Sequence, residues 1–181
     1  MFSALVGAAN HDRKWESAMR KYFDALDGYW DDKVKIPGYE PAPTSGGGSD
    51  KYYDDNAWMV ITFAEAYELT RDRRYLKRSS ETLTFVLSGW DDQAGGGVWW
   101  HEKHKDGSKN TCVNAPAAFG CLIVARNDPK LAPGLVGQAK RIVEWTNSRL
   151  RAKNGLFADA IKVDGGKINP DQLTYNAGLM L

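Results

Sequence analysis

Residues 56–69, NAWMVITFAEAYEL, set apolar side chains almost all the way round a helical wheel, and residues 113–125, VNAPAAFGCLIVA, do the same. A helix with so little polar face belongs in an interior, so both segments read as buried helices. Pro116 is expected in the first turn of the second. The segments that follow each are of another kind. Residues 74–88, RYLKRSSETLTFVLS, align Leu76, Leu83, Val86 and Leu87 on one stripe, and residues 135–150, LVGQAKRIVEWTNSRL, align Leu135, Ala139, Ile142, Val143, Thr146 and Leu150. These are the stripes of surface helices. The order along the chain is buried, striped, buried, striped.

That alternation repeats. Asn56, Asn114 and Asn176 each open a buried helix, at spacings of 58 and 62, while Trp90 and Trp145, 55 apart, close the striped ones. A glycine-bearing turn into a short aromatic segment follows each time: GGGVWW at 95–100 and NGLFAD at 154–159. A period near 60 built of helix–turn–helix units is the mark of stacked hairpins. Inner and outer helices in alternation curve such a stack into a toroid, so the expected fold is all-α, with inner helices lining a funnel and loops at one end forming a cleft. Residues 13–30 fit the scheme as one amphipathic helix bearing Trp15, Met19, Tyr22, Phe23 and Leu26 on its stripe. The Pro/Gly/Ser segment at 36–51 is long for a helix connection, hence a functional or a mobile loop. LTYNAGLML at 173–181 begins a third buried helix and stops inside it, so the chain is expected to be a piece of a longer protein.

Composition narrows the function. The 24 Lys and Arg against 23 Asp and Glu leave a net charge of +1, with both signs interspersed, which argues against nucleic acid or an anionic membrane as partner. Seven Trp and eight Tyr beside eighteen Gly suit aromatic-lined loops that can stack sugar rings, although core packing is the commoner use of Trp. No run approaches the roughly 20 apolar residues of a membrane span, and residues 1–9 lack the basic start of an export signal. Cys112 and Cys121 would lie about 13 Å apart on one helix, too far to bridge.

The densest constellation is YYDDNAW at 52–58. Two adjacent carboxylates entering an apolar helix have two readings. Asp54 and Asp55 can cap the helix and complement its dipole, or they can form a glycosidase pair, one carboxyl as nucleophile and the other as acid/base. Trp99, Trp100, Lys109, Asn110, Asn114, Asp159, Tyr175 and Asn176 fall at the same phase of the repeat, which should bring them to one rim. Trp58, Trp90 and Trp145 are assigned to packing between repeats. His101-Glu102-Lys103-His104 is one residue short of the zinc-binding H-E-x-x-H, and His11 is the sole other histidine, so no metal site is expected. Neither a dinucleotide fingerprint nor a phosphate loop is present, and no cofactor is expected.

The blocks YYDDNAWMVITFAEAYELTRDRRYL, GGGVWW, KNTCVNAP and LTYNAGLM, in this order over residues 50–181, resemble glycoside hydrolase family 76, the endo-α-1,6-mannanases. The resemblance implies an (α/α)6 barrel acting with retention on α-1,6-mannan. It places the family's Asp-Asp pair on Asp54 as nucleophile and Asp55 as acid/base. Trp99, Trp100 and Tyr175 would then wall the sugar subsites, with Asn110, Asn114 and Asp159 bonding hydroxyls. Thr111, Cys112, Leu173 and Ala177 depart from the family blocks, and Ala177 lacks an amide that would touch substrate. The resemblance also implies an extracytoplasmic site of action on a mannan partner. It leaves open an inactive glycan-binding member and a mannan transglycosylase.

Six hairpins at this period need roughly 350 residues, so residues 1–181 amount to a partial catalytic domain, about half a barrel. A half-toroid exposes a broad apolar face, so the expectation is either a fragment of a longer protein, natural or cut, or two half-chains that complete each other as a dimer.

Overall fold

The computed structural model describes residues 1–105 and 107–180. The chain runs as helical hairpins: α1 (Phe2–His11) with α2 (Glu16–Ala25), α3 (Tyr53–Thr70) with α4 (Arg73–Ser88), and α5 (Thr111–Asn127) with α6 (Ala132–Leu150), followed by α7 (Thr174–Met180). Helices α1, α3, α5 and α7 neighbour one another in that order, and α2, α4 and α6 each cover the inner helix they follow. The stacked, alternating architecture is the expected one. One aromatic-rich core lies between the first two hairpins, where Phe23 meets Tyr75 edge-on at 4.7 Å and Phe63 at 5.3 Å. A second core runs through Val60, Phe85, Val113, Cys121 and Ile142.

Several boundaries move. Helix α1 was not expected, and the 13–30 segment is one α-helix flanked by 3-10 turns at Arg13–Trp15 and Leu26–Tyr29. Helix α5 begins ahead of its apolar run, which puts Pro116 inside it rather than in the first turn. Between α3 and α4, Arg71 takes left-handed backbone (φ 59°) and the Asp72 carboxylate caps α4 by accepting from Arg74 N–H at 3.0 Å. Both cysteines are reduced and buried in α5, and burial pushes both thiols up to about 12. No described helix is long and apolar enough to cross a membrane. Leu181, where the expected third helix stops, lies outside the described residues.

The connections ahead of the inner helices are where strands form. β1 (Trp30–Asp31) pairs antiparallel with β2 (Gly38–Tyr39), and β3 (Ser108–Asn110), β4 (Ala160–Lys162) and β5 (Ile168–Asn169) form a three-stranded sheet in that order. These segments repeat as faithfully as the helices. Trp30 faces Tyr39, Trp90 faces Val98 and Arg151 faces Phe157 in equivalent antiparallel bridges. A buried asparagine then clamps the partner strand. Asn56 accepts from Tyr39 N–H at 2.8 Å and donates to the Tyr39 carbonyl at 3.0 Å and the Tyr52 carbonyl at 2.7 Å. Asn114 does the same to Val98 N–H (2.8 Å), the Val98 carbonyl (3.1 Å) and the Asn110 carbonyl (2.9 Å). Asn176, the third of the series, is fully buried with neither amide atom partnered among the described residues.

A buried lysine accompanies each of the first two clamps. Lys51 Nζ lies 3.1 Å from Asp31 and 3.0 Å from Glu102, and Lys109 Nζ lies 2.6 Å from Asp91 while donating to the Asp91, Gln93 and Gly96 carbonyls at 2.7–3.0 Å. The glycine run makes room for the tryptophans of the repeat. A Cβ on Gly96 would sit 2.6 Å from the Trp90 ring, and one on Gly97 2.6 Å from the Trp145 ring, both at positive φ. Trp90 and Trp145 therefore pack as expected. Trp58 does not: it is 43% exposed. The long loop is ordered around Glu40, whose carboxylate accepts from Gly46 N–H at 3.0 Å, Ser49 N–H at 2.8 Å and the Thr44 hydroxyl.

Candidate active site

Three pairs of consecutive aspartates occur in the chain: 31–32, 54–55 and 91–92. Two are spoken for. Asp31 and Asp91 each neutralise a buried lysine, and although burial raises Asp91, hydrogen bonds from Lys109 and Trp99 hold it below its ordinary value. Asp54 and Asp55 stand in the first turn of α3 with no cation within salt-bridge distance among the described residues. Neither acts as the N-cap; that position is Tyr52, whose side chain makes no capping bond.

The two carboxylates differ in their surroundings. Asp54 is half-buried and accepts the Trp100 indole N–H at 3.0 Å and the Asp55 backbone N–H at 2.9 Å. Burial raises its pKa, and these donors oppose the rise without cancelling it. Asp55 is exposed, has no donor among the described contacts, and is raised first by desolvation and then by the charge of Asp54. When two neighbouring carboxyls share one proton, the better-solvated or better-bonded one stays ionised. Here the hydrogen bonds favour the charged form at Asp54, while Asp55 is the more exposed of the two.

The rim around the pair is built by the repeat. Tyr53 N–H bonds the Trp100 carbonyl and Thr111 N–H bonds the Asp159 carbonyl, both at 2.8 Å, so Trp100 and Asp159 occupy equivalent positions beside successive inner helices. Trp100 is 42% exposed with its ring at 5.9 Å from Tyr52. Tyr175 is 46% exposed, and its hydroxyl lies near the Cys112 thiol. Burial of that hydroxyl, with Cys112, Asp159 and Asp54 nearby, holds the Tyr175 pKa above its ordinary value. Asp159 accepts from Asn169 Nδ2 at 3.1 Å. Asp54, Asp55, Trp100, Asp159 and Tyr175 are thus brought together.

The remaining expected rim residues are placed elsewhere. Trp99 is fully buried in the core, its indole N–H donating to Asp91 at 2.7 Å. Lys109, Asn114 and Asn176 are fully buried, and Asn110 nearly so, with its side chain accepting from Ser108 at 2.8 Å. Sequence phase put these residues at the rim. For Lys109 and Asn114 the backbone groups of Gly96 and Val98 are the partners that turn them inward. Two residues that the sequence reading gave other places stand near the pair: Trp58, assigned to packing but exposed one helical turn beyond Asp54, and Cys112, which feels the Asp54 charge. One signal for Trp58 was available, since the spacing 54–58 shares a helix face. The site is an open rim. The cavity of about 850 Å³ lined by Trp30, Lys33, Arg78 and Glu81 includes neither aspartate.

Comparison with known proteins bears on this arrangement. The sequence model of glycosyl hydrolase family 76 matches residues 1–181. The meiotically up-regulated gene 191 protein of Schizosaccharomyces pombe is 28% identical over 190 residues, covering 97% of this chain and 42% of that protein. A solved GH76 alpha-mannanase of Bacteroides thetaiotaomicron superposes with a TM-score of 0.90 at 31% identity, over 98% of this chain and 50% of that one. An inactive variant of the alpha-1,6-mannanase of Salegentibacter sp. HEL1_6, with two consecutive aspartates replaced by asparagine and alpha-1,6-mannotriose bound, superposes with a TM-score of 0.81 at 24% identity, over 99% of this chain and 50% of that one. This chain spans about half the length of the relatives it matches. It belongs to glycosyl hydrolase family 76, and its fold is the α/α toroid of that family over about half its extent.

Proposed function

We propose that the chain carries the two carboxylates of a retaining, endo-acting α-1,6-mannosidase. The observation that supports this reading is that Asp54–Asp55, alone of the three consecutive aspartate pairs, has no cation partner among the described residues and has both pKa values raised. The Salegentibacter relative, inactive when two consecutive aspartates are replaced, is consistent with it.

In this reading ionised Asp54 attacks the anomeric carbon as the glycosidic C–O bond breaks, and Asp55 gives its proton to the leaving oxygen. Asp55 then takes a proton from water, whose oxygen displaces the Asp54 carboxylate and restores both groups. The two N–H donors on Asp54 favour its charged form, and the neighbouring negative charge favours protonated Asp55, so each starts in the state its step requires. Trp100 and Tyr175, with Trp58, offer faces for sugar rings. Mannan as substrate places the site of action outside the cytoplasm.

The test is release of manno-oligosaccharides from α-1,6-mannan by the chain and by its Asp54→Asn and Asp55→Asn variants. Turnover by the wild type and a loss of about 10²–10⁴-fold in Asp55→Asn, the range for a general acid/base, support the reading, with Asp54→Asn losing at least as much. Undiminished activity in either variant overturns it. The half-length of the chain relative to its solved relatives favours one second reading, a glycan-binding unit; mannotriose binding without turnover would select it.

The same half-length bears on partners. Phe119 and Leu122, on inner helix α5, are each more than 40% exposed. Apolar side chains of this size on an inner layer call for a cover, and the occupant proposed is a second copy of this chain presenting the same face.

A further inference from the structure

We propose that Asp50, His101 and His104 form a site for a single transition-metal dication of the zinc class, beside the Asp54 rim and separate from the catalytic pair. The H-E-x-H spacing gave no reason to expect one, because it supplies two histidines at i, i+3 and no third ligand. The fold supplies the third from the end of the long loop, 51 residues upstream of His101.

The three candidate ligand atoms converge. Asp50 Oδ2 lies 2.7 Å from His101 Nδ1 and 2.5 Å from His104 Nδ1, and the two Nδ1 atoms are 3.1 Å apart. With both Nδ1 atoms protonated, Asp50 Oδ2 accepts two N–H bonds and the 3.1 Å approach of the two Nδ1 atoms carries none. A cation at the centre satisfies all three edges at once. Zinc bonds of about 2.0–2.2 Å place tetrahedral ligands roughly 3.3 Å apart, so side-chain rotations of a few tenths of an ångström open the triangle to that size.

The surroundings are those of a supported site. Asp50 Oδ1 accepts Lys103 N–H at 2.8 Å, which fixes the carboxylate and leaves Oδ2 to coordinate. The His101 ring stacks on Tyr52 at 5.2 Å and meets Trp100 edge-on at 5.4 Å. Nearby ammonium groups are engaged elsewhere: Lys51 with Asp31 and Glu102, and Lys103 with the Gly48 carbonyl. The His104 side chain is 61% exposed, which leaves a coordination position open to water. Two imidazoles and one carboxylate suit Zn²⁺, Ni²⁺ or Cu²⁺ rather than the oxygen-seeking Ca²⁺ or Mg²⁺. A bound ion would tie loop 36–51 to the strand that carries Trp100, and through Trp100 to Asp54.

Calorimetric titration of the full chain with Zn²⁺ alone, after chelator treatment, tests this. One saturable site per chain is expected, with Co²⁺ giving the visible absorption of a low-coordinate centre and Ca²⁺ giving no heat. His104→Ala and His104→Gln, at an exposed position, should abolish both signals with an unchanged circular-dichroism spectrum, and Asp50→Asn should do the same; Asp54→Asn should leave them intact. Absence of saturable Zn²⁺ binding by the wild type, binding that survives His104→Ala and Asp50→Asn, or equal binding of Ca²⁺ would each overturn the proposal.

Discussion

Trp100 serves Asp54 in two separable ways. Its ring offers an apolar face, and its indole N–H donates to the Asp54 carboxylate at 3.0 Å. That hydrogen bond favours ionised Asp54 against the burial that raises its pKa. Trp100→Phe keeps a ring and removes the donor, so the Asp54 pKa should rise further. If ionised Asp54 is the attacking group, activity is lost as pH falls through that pKa. The acid limb of the kcat/KM profile on mannan should therefore move to higher pH in Trp100→Phe, with KM little changed. A shift to lower pH, or none, would break the link between the indole and Asp54. At this scale the sequence was informative where the repeat itself sets a residue beside the start of an inner helix. Asp54 and Asp55 open α3, and Trp100, 46 residues further on, meets Asp54 because its carbonyl takes the Tyr53 N–H at the start of the same helix. Lys109 and Asn114 have local phases no different from theirs, yet they are interior, because what they bond is a strand folded back from sixteen to eighteen residues away.

At the scale of elements, the asparagine clamps show how a repeat is held together. Asn114 satisfies three buried backbone groups, and each such group left without a partner costs about 1–3 kcal/mol. Asn114→Ala should lower the unfolding free energy by on the order of 3 kcal/mol or more in denaturant titrations. Asn56→Ala, with the same three bonds on Tyr39 and Tyr52, should cost a similar amount. Asn176→Ala should cost far less, because its amide holds nothing among the described residues. Equal losses at all three positions would mean that the amides matter for shape and not for bonding. The helices themselves were legible because their apolar periods are long and uninterrupted. Helix α4 begins within one residue of the stripe that announced it. Helix α1 was missed because its apolar residues read as a failed export signal. The start of α5 was missed because Pro116 looked like a first-turn residue, whereas the clamp at Asn114 and the strand at β3 extend the helix back to Thr111.

For the whole molecule, the hairpin order is complete as far as it goes, and the inner face that results is apolar and open. If a second copy covers that face, sedimentation should give a species of twice the chain mass at micromolar concentration, and Phe119→Lys with Leu122→Lys should return it to the monomer. A compact monomer for the wild type would remove the case for pairing. The period announced both the stacking and the half-extent, since roughly 60 residues per hairpin leave no room for six in 181.

The clamps also have a direction. Each asparagine sits in an inner helix and fastens the strand that precedes it, so no strand is secured until the next helix has formed: Tyr39 waits for α3, and Val98 waits for α5. The equivalent strand residue of the third unit is Phe157, and the Asn176 amide makes no such bond among the described residues. If assembly follows these bonds, it is vectorial. On a ribosome, where the chain emerges from its first residue onward, hairpins would lock in order of synthesis, each new helix sealing the one before it. The ring would grow from one end like a ratchet, with a single unsealed unit at its leading edge.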